Sequence, residues 1–201
     1  MKSIYEFKSI FQNLLRPICK LLVQNGITAN QITISSVILS FIAGGILYWQ
    51  STAKWPLFLV PIFLFIRMAL NAIDGMLARE HNMKSNRGVI LNECGDVLSD
   101  AALYLPFSLI PGAPSQLIVI IVVLSILSEM TGVIAVQIGA SRRYDGPMGK
   151  SDRAFAFGLI ALLLGCGLLK NSWLMPVFLF ILLLLIITIF NRANNALKEV
   201  L

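Results

Sequence analysis

The chain is poor in the residues that build thiolate and imidazole frameworks. It has one histidine, His81, and three cysteines, Cys19, Cys94 and Cys166, with no C-x-x-C pair. That pattern excludes a disulfide scaffold and a zinc knuckle, and leaves the cysteines as packing residues. No low-complexity tract appears, and no repeat with a period of roughly 20 to 50 residues, so a solenoid array is excluded too. The segment 1–26 lacks an uninterrupted apolar core followed by a small-residue cleavage site. No cleavable signal peptide is expected, and the first membrane span is expected to serve as the insertion signal.

What the chain has in abundance is apolar sequence. Of its 201 residues 57% are hydrophobic, and the mean hydropathy is +0.82. The apolar residues come in long runs of the length a bilayer crossing needs, which predicts an all-α polytopic membrane protein with six transmembrane helices. The spans are placed at Ile32 to Trp49, Trp55 to Leu77, Gly88 to Ile110, Leu117 to Ile138, Ala154 to Leu169 and Trp173 to Phe190. One membrane domain, 1–201, is expected: an N-terminal interfacial helix and linker over 1–26, then the six-helix region over 27–201. Within 3–15, Ile4, Phe7, Ile10, Phe11, Leu14 and Leu15 share one face before Pro17 interrupts the pattern. Such a helix either lies on the membrane or packs on the end of the bundle. Trp49, Trp55 and Trp173 fall at span ends, where interfacial anchors sit.

Sixteen Lys and Arg against ten Asp and Glu leave a formal charge of +6. A basic excess can mark a nucleic-acid binder, but here it alternates between connections. Arg79, Lys84 and Arg87 follow the second span, and Arg142, Arg143, Lys150 and Arg153 follow the fourth; the opposite side has only Lys54 and Lys170. By the positive-inside rule both termini and the basic connections are cytoplasmic, and no nucleic-acid partner is expected.

The chemistry concentrates in Asn71 to Asp100, where polar and acidic residues recur inside membrane-grade sequence. Arg67, Asn71, Asp74 and Ala78 share one stripe of a helix, and Gly88, Asn92, Gly95, Asp96 and Ser99 share another. Two such stripes joined by a short basic loop make a cavity between neighbouring helices. A charged side chain within a span costs about 2.5 to 3.5 kcal/mol on insertion scales, so Arg67, Asp74, Asp96 and Asp100 imply either a site or a buried ion-pair network. Asp and Asn oxygens without a histidine or thiolate cluster suit Mg²⁺ or Mn²⁺, and such a cation is expected to serve a phosphate-bearing substrate. Gly75 and Gly88 beside the stripes leave room for a bulky ligand or a second backbone. The acids cluster near one membrane face and form no relay across the bilayer, which disfavours an ion or proton transporter.

The run Asp74-Gly75-x-x-Ala78-Arg79, eight residues, Gly88, three residues, Asn92, three residues, Asp96 resembles the signature of the CDP-alcohol phosphotransferase family. The spacing matches throughout, and the Asn30-x-x-Thr33 approach to the first span and the Gly149-Lys150 loop resemble the family as well. Two family aspartates are replaced, by Asn71 and Asn92, so the two-metal site that the resemblance implies holds either one ion or two weakly; Asp100 and Glu93 are candidates to compensate. The resemblance implies transfer of a phosphatidyl group from CDP-diacylglycerol to a small alcohol with release of CMP, in phospholipid biosynthesis, by a homodimer in a bacterial inner membrane. Asp96 would be the general base, and Asn71, Asp74, Asn92 and Asp96 the metal ligands. Asn30, Thr33, Asp74, Gly75, Ala78, Arg79 and Gly88 would bind the CDP-linked donor. Arg142, Arg143, Lys150 and Arg153, expected at the mouth of the cavity, point to an anionic or phosphorylated acceptor. Two alternatives stay open: a soluble CDP-alcohol donating to a lipid hydroxyl, and a catalytically impaired CDP-lipid-binding relative.

Overall fold

The computed structural model describes the backbone of residues 4–201 and the side chains from residue 10 onward. It is helical, with α1 Ile4–Gln24, α2 Ala29–Trp49, α3 Trp55–Glu80, α4 Asn86–Tyr104, α5 Ser115–Gln137, α6 Lys150–Gly165 and α7 Leu174–Val200. Short 3₁₀ turns lie at Leu105–Leu109 and Asn171–Trp173. Four of these segments are long and apolar enough to cross a membrane: Ala29–Trp49, Trp55–Glu80, Ser115–Gln137 and Asn171–Val200. The helices α4 and α6 fall short of that mark for a physical reason. The first half of α4 is polar, and α6 has 16 residues and opens on Lys150-Ser-Asp-Arg153.

Local chemistry explains the helix limits. Thr28 caps α2 in a capping box with Gln31, so the helix starts ahead of the expected Ile32. The first turn of α3 opens on Pro56, and the helix runs past Leu77 to Glu80, which keeps Ala78 and Arg79 helical. Ser85 caps α4 by accepting from the Gly88 N–H at 3.0 Å. Pro106 stops α4 as an α-helix, and the chain tightens into the 3₁₀ turn instead of running on to Ile110. Residues past Phe190 continue α7 to Val200, so Arg192 is helical and not part of a tail.

In the bundle α2 packs on α3 and α4, α3 on α6, and α5 on α7. Close approach is made possible by glycine at one crossing: a Cβ on Gly44 would stand 2.0 Å from the Ala102 carbonyl oxygen. One end of the core is aromatic, with Tyr104 stacked on Phe157 at 4.1 Å and Phe107 edge-on to the same ring at 5.0 Å. A second cluster, Leu15, Cys19, Ala29, Ile32, Ile73, Met76 and Leu77, ties α1 to α2 and α3. Residues such as Ile38, Phe41, Phe65, Val123 and Phe180 point outward, as lipid-facing residues do.

The two readings of α1 each find a face. Leu15 and Cys19 pack on the bundle while Ile10, Leu14, Ile18 and Leu21 form an exposed apolar stripe. Pro17 does not end this helix, and Arg16 pairs with Glu80 of α3 at 3.2 Å. The side chains of Ile4 and Phe7 lie outside the described residues.

Candidate active site

The N-terminal ends of α2 and α4 and the C-terminal end of α3 enclose a cavity of about 640 Å³. Asn30 and Thr33 come from the first turns of α2, and Asn71, Asp74, Gly75, Ala78 and Arg79 from the last turns of α3. The opening turns of α4 add Gly88 and Asn92. The helical spacing read from the sequence therefore converges on one wall. Asp74 is buried, and its Oδ2 accepts from the Thr33 hydroxyl at 2.8 Å. Ser36 donates to Asn71 Oδ1 at 3.3 Å. Both bonds fix the accepting oxygens of Asp74 and Asn71 in rotamer without spending a charge.

The glycines are accounted for by contact. A Cβ on Gly88 would stand 2.7 Å from Asn30 Oδ1, so a larger residue there would push the Asn30 side chain aside where the start of α4 meets the start of α2. A Cβ on Gly75 would stand 3.0 Å from Arg79 Nη2, so the missing methyl makes room for the guanidinium along the cavity wall. Arg79 and Lys84 bring positive charge to this chamber.

A second chamber of about 340 Å³ adjoins it, and Asn71 and Asn92 line both. Its wall holds Asp96, Glu129, Arg142, Tyr144, Lys150 and Arg192. Lys150 donates to Asp96 Oδ1, and Arg67 Nη2 donates to the Asp96 carbonyl oxygen at 3.1 Å. Behind them runs a buried ion-pair web. Arg67 meets Asp100 at 2.7 Å, Arg153 meets Asp100 at 2.8 Å and Glu129 at 2.9 Å, and Arg192 meets Glu129 at 3.3 Å. Both readings of the intramembrane charges hold at once, with Asp74 and Asp96 lining cavities and Asp100 locked in a network.

The structure separates the four basic residues expected at the mouth. Arg142 and Lys150 line the second chamber. Arg153 does not: it is 0% exposed, because α6 begins at Lys150 and its first turn carries Arg153 inward onto Asp100 and Glu129. Arg143 turns away to Asp145 at 2.7 Å and Glu199 at 2.6 Å. Hydrogen bonds from that guanidinium hold the Asp145 carboxyl below the usual carboxylate range. Asp100, paired on both sides, is not a spare ligand, and Glu93 reaches the first chamber but pairs with Arg142. His81 caps the end of α3.

Two residues escaped the sequence reading. Glu129 is the single acid in the apolar α5, a signal that the cost of intramembrane charge could have flagged. Arg192 lies beyond the expected end of the last span at Phe190, and the continuation of α7 buries it. Tyr144 completes the wall, with its ring 4.3 Å from the Arg142 guanidinium carbon.

Among the described residues no group of three or more His, Cys, Asp or Glu could hold a metal ion. The site offers two carboxylates, Asp74 and Asp96, and two amide oxygens, Asn71 and Asn92. This all-oxygen set fits one hard divalent cation, whose charge the two carboxylates match.

Comparison with known proteins gives three findings. A family model described as CDP-alcohol phosphatidyltransferase matches residues 26–194. The inner membrane protein YnbA of Escherichia coli (strain K12) is 44% identical over 196 residues, covering 97% of this chain and 96% of that protein. The fold is shared with Mycobacterium tuberculosis phosphatidylinositol phosphate synthase (PgsA1). Its complex with manganese and citrate has a TM-score of 0.74 at 19% identity, over 91% of this chain and 88% of that one. The form with CDP-DAG bound has a TM-score of 0.71 at 18% identity, over 90% and 92%.

Proposed function

We propose, since this chain belongs to the CDP-alcohol phosphatidyltransferase family, that it transfers a phosphatidyl group from CDP-diacylglycerol to the hydroxyl of a small alcohol and releases CMP. The observation that carries this reading is the pair of chambers meeting at Asn71 and Asn92. One chamber gathers the residues that the sequence resemblance assigns to the donor. The other presents Asp96 where a second substrate can reach it.

In the donor chamber Arg79 and Lys84 face the pyrophosphate, and the Gly75 and Gly88 backbones let it lie close to the helices. Asp74 and Asp96, with the amides of Asn71 and Asn92, would hold Mg²⁺ or Mn²⁺. A bound divalent cation there lowers repulsion between the pyrophosphate and the incoming oxygen and stabilises the departing charge. The acceptor hydroxyl, set in the second chamber, gives its proton to the Asp96 carboxylate as its oxygen bonds to the lipid-bearing phosphorus. The phosphorus–oxygen bond to CMP breaks, and CMP leaves with the electron pair. Lys150 and Arg67 hold Asp96 in place for this role.

A third depression, apolar and about 280 Å³, lies between α3 and α6, lined by Pro61, Phe65, Phe155 and Leu159. Ser151 lines both it and the second chamber, so an acyl chain lying there keeps its headgroup at the site. In this reading α4 and α6 complete six crossings, α1 rests its exposed stripe on the cytoplasmic leaflet, and the enzyme works as a homodimer in an inner membrane with both termini cytoplasmic.

Reconstituted in liposomes with CDP-diacylglycerol and an alcohol mixture, the protein should release CMP only with Mg²⁺ or Mn²⁺ present. Full turnover in excess EDTA, with metal removal verified, would defeat the cation's part. No CMP release under any condition would defeat the transferase reading.

A further inference from the structure

The second chamber is balanced in charge, and that bears on what enters it. Its wall carries three cations, Arg142, Lys150 and Arg192, and three carboxylates, Asp96, Glu129 and Asp152. Every one of the cations is engaged: Lys150 on Asp96, Arg192 at 3.3 Å from Glu129, and Arg142 on Glu93 and 3.6 Å from Glu129. Glu129 stands at the centre, 6% exposed, with Oε1 also accepting from Arg153 at 2.9 Å. A carboxylate so enclosed has no solvent to swing into when an anion arrives. Its charge stays in the wall.

We infer that Glu129 sets the acceptor class: the chamber takes an uncharged or zwitterionic hydroxyl compound and rejects a phosphorylated one. The inference rests on the transferase reading above, and it replaces the anionic acceptor expected from counting loop cations. That count assumed four free cations at one mouth, whereas Arg143 and Arg153 lie elsewhere and the rest are matched by carboxylates. A phosphate monoester entering here gives up its hydration and meets fixed carboxylates that cancel the pull of the cations. A polyol or amino alcohol gives up far less. Its hydroxyls donate to the carboxylates, and its oxygens accept from the basic side chains of the same wall. A wall of alternating sign suits a ligand whose donors and acceptors alternate.

The test uses the full chain in detergent micelles with Mg²⁺, saturated with CDP so that the donor chamber is filled. Glycerol 3-phosphate, titrated calorimetrically, should show no saturable binding up to about 10 mM, and saturable binding below that overturns the inference. A folded Glu129→Gln protein should gain affinity for glycerol 3-phosphate by about tenfold or more, and no gain removes Glu129 from the role. In liposomes with CDP-diacylglycerol, glycerol, inositol or serine should support CMP release with kcat/KM about tenfold or more above any phosphorylated counterpart. Equal or better use of the phosphorylated member overturns the inference while leaving the transferase intact. If no acceptor supports CMP release, the transferase reading is what fails, and the glycerol 3-phosphate titration still decides the charge of the chamber.

Discussion

The two chambers are built in opposite ways. The first chamber, proposed for the donor, is assembled from the start of α2 and the α3–α4 hairpin and is steadied by neutral hydroxyls, Thr33 on Asp74 and Ser36 on Asn71. The second chamber, proposed for the acceptor, draws on α3, α4, α5, α6, α7 and the loop before α6, and it is steadied by full charges such as Lys150 on Asp96 and Arg192 on Glu129. A chamber held by hydroxyls can lose one ligand and keep its shape. In one held by a buried ion web, site and scaffold are the same atoms, so a lost partner leaves a charge stranded in low dielectric.

The sharpest way to break this contrast is at the two carboxylates. Asp96→Asn should lower kcat by about a thousandfold or more, since it removes the base, while CDP-lipid binding stays within about threefold. Asp74→Asn should weaken metal-dependent CDP-lipid binding as well, because Asp74 faces the donor side. Equal loss of binding in both variants would mean that the chambers do not divide the work. Turnover and equilibrium binding, measured on the same preparations, decide it.

The next largest effect belongs to the scaffold. Arg153→Ala takes one cation from each of the buried acids Asp100 and Glu129, leaving Arg67 and Arg192 as their partners, and should cost about 3 kcal/mol of stability, seen as a lowered thermal midpoint in detergent. Had Arg153 bound acceptor at the mouth, as the sequence suggested, the variant would instead raise the acceptor KM at unchanged stability. That result would overturn its assignment to the web.

The same contrast explains what was legible beforehand. Most of the first chamber could be read because its α3 and α4 residues lie near in sequence, where period and spacing fix which side chains share a face: Asn71, Asp74 and Ala78 on one helix, Gly88 and Asn92 on the other. The acceptor chamber could not. Lys150 meets Asp96 across 54 positions of chain and Arg153 meets Asp100 across 53, contacts that no periodicity encodes. Arg153 and Lys150 looked alike as loop cations, but α6 begins at Lys150, and the turn of that helix sends one to the cavity and the other to the core. Membrane class and helix order followed from long apolar runs. The six-span count met its difficulty at α4 and α6, the helices whose polar turns carry the chemistry.

The smallest expected effect bears on the charge available where the two chambers meet. With Asn71 and Asn92 where carboxylates would add charge, the site sets the two negative charges of Asp74 and Asp96 against one divalent cation, and Lys150 already leans on Asp96. A second divalent cation about 4 Å from the first would meet repulsion of roughly 17 kcal/mol at an effective dielectric near 20, which two carboxylates shared with Lys150 and Arg67 are poorly placed to offset. Restoring the charge by Asn71→Asp and Asn92→Asp together should therefore tighten Mn²⁺ binding by about ten- to a hundredfold. It should also raise the stoichiometry read by electron paramagnetic resonance above one ion per chain. Ser36 donates to Asn71 through an oxygen that an aspartate keeps, so the substitution adds charge without removing that contact. An unchanged titration midpoint with unchanged stoichiometry would mean that these amides do not face the cation, and that the donor chamber binds its metal by other atoms.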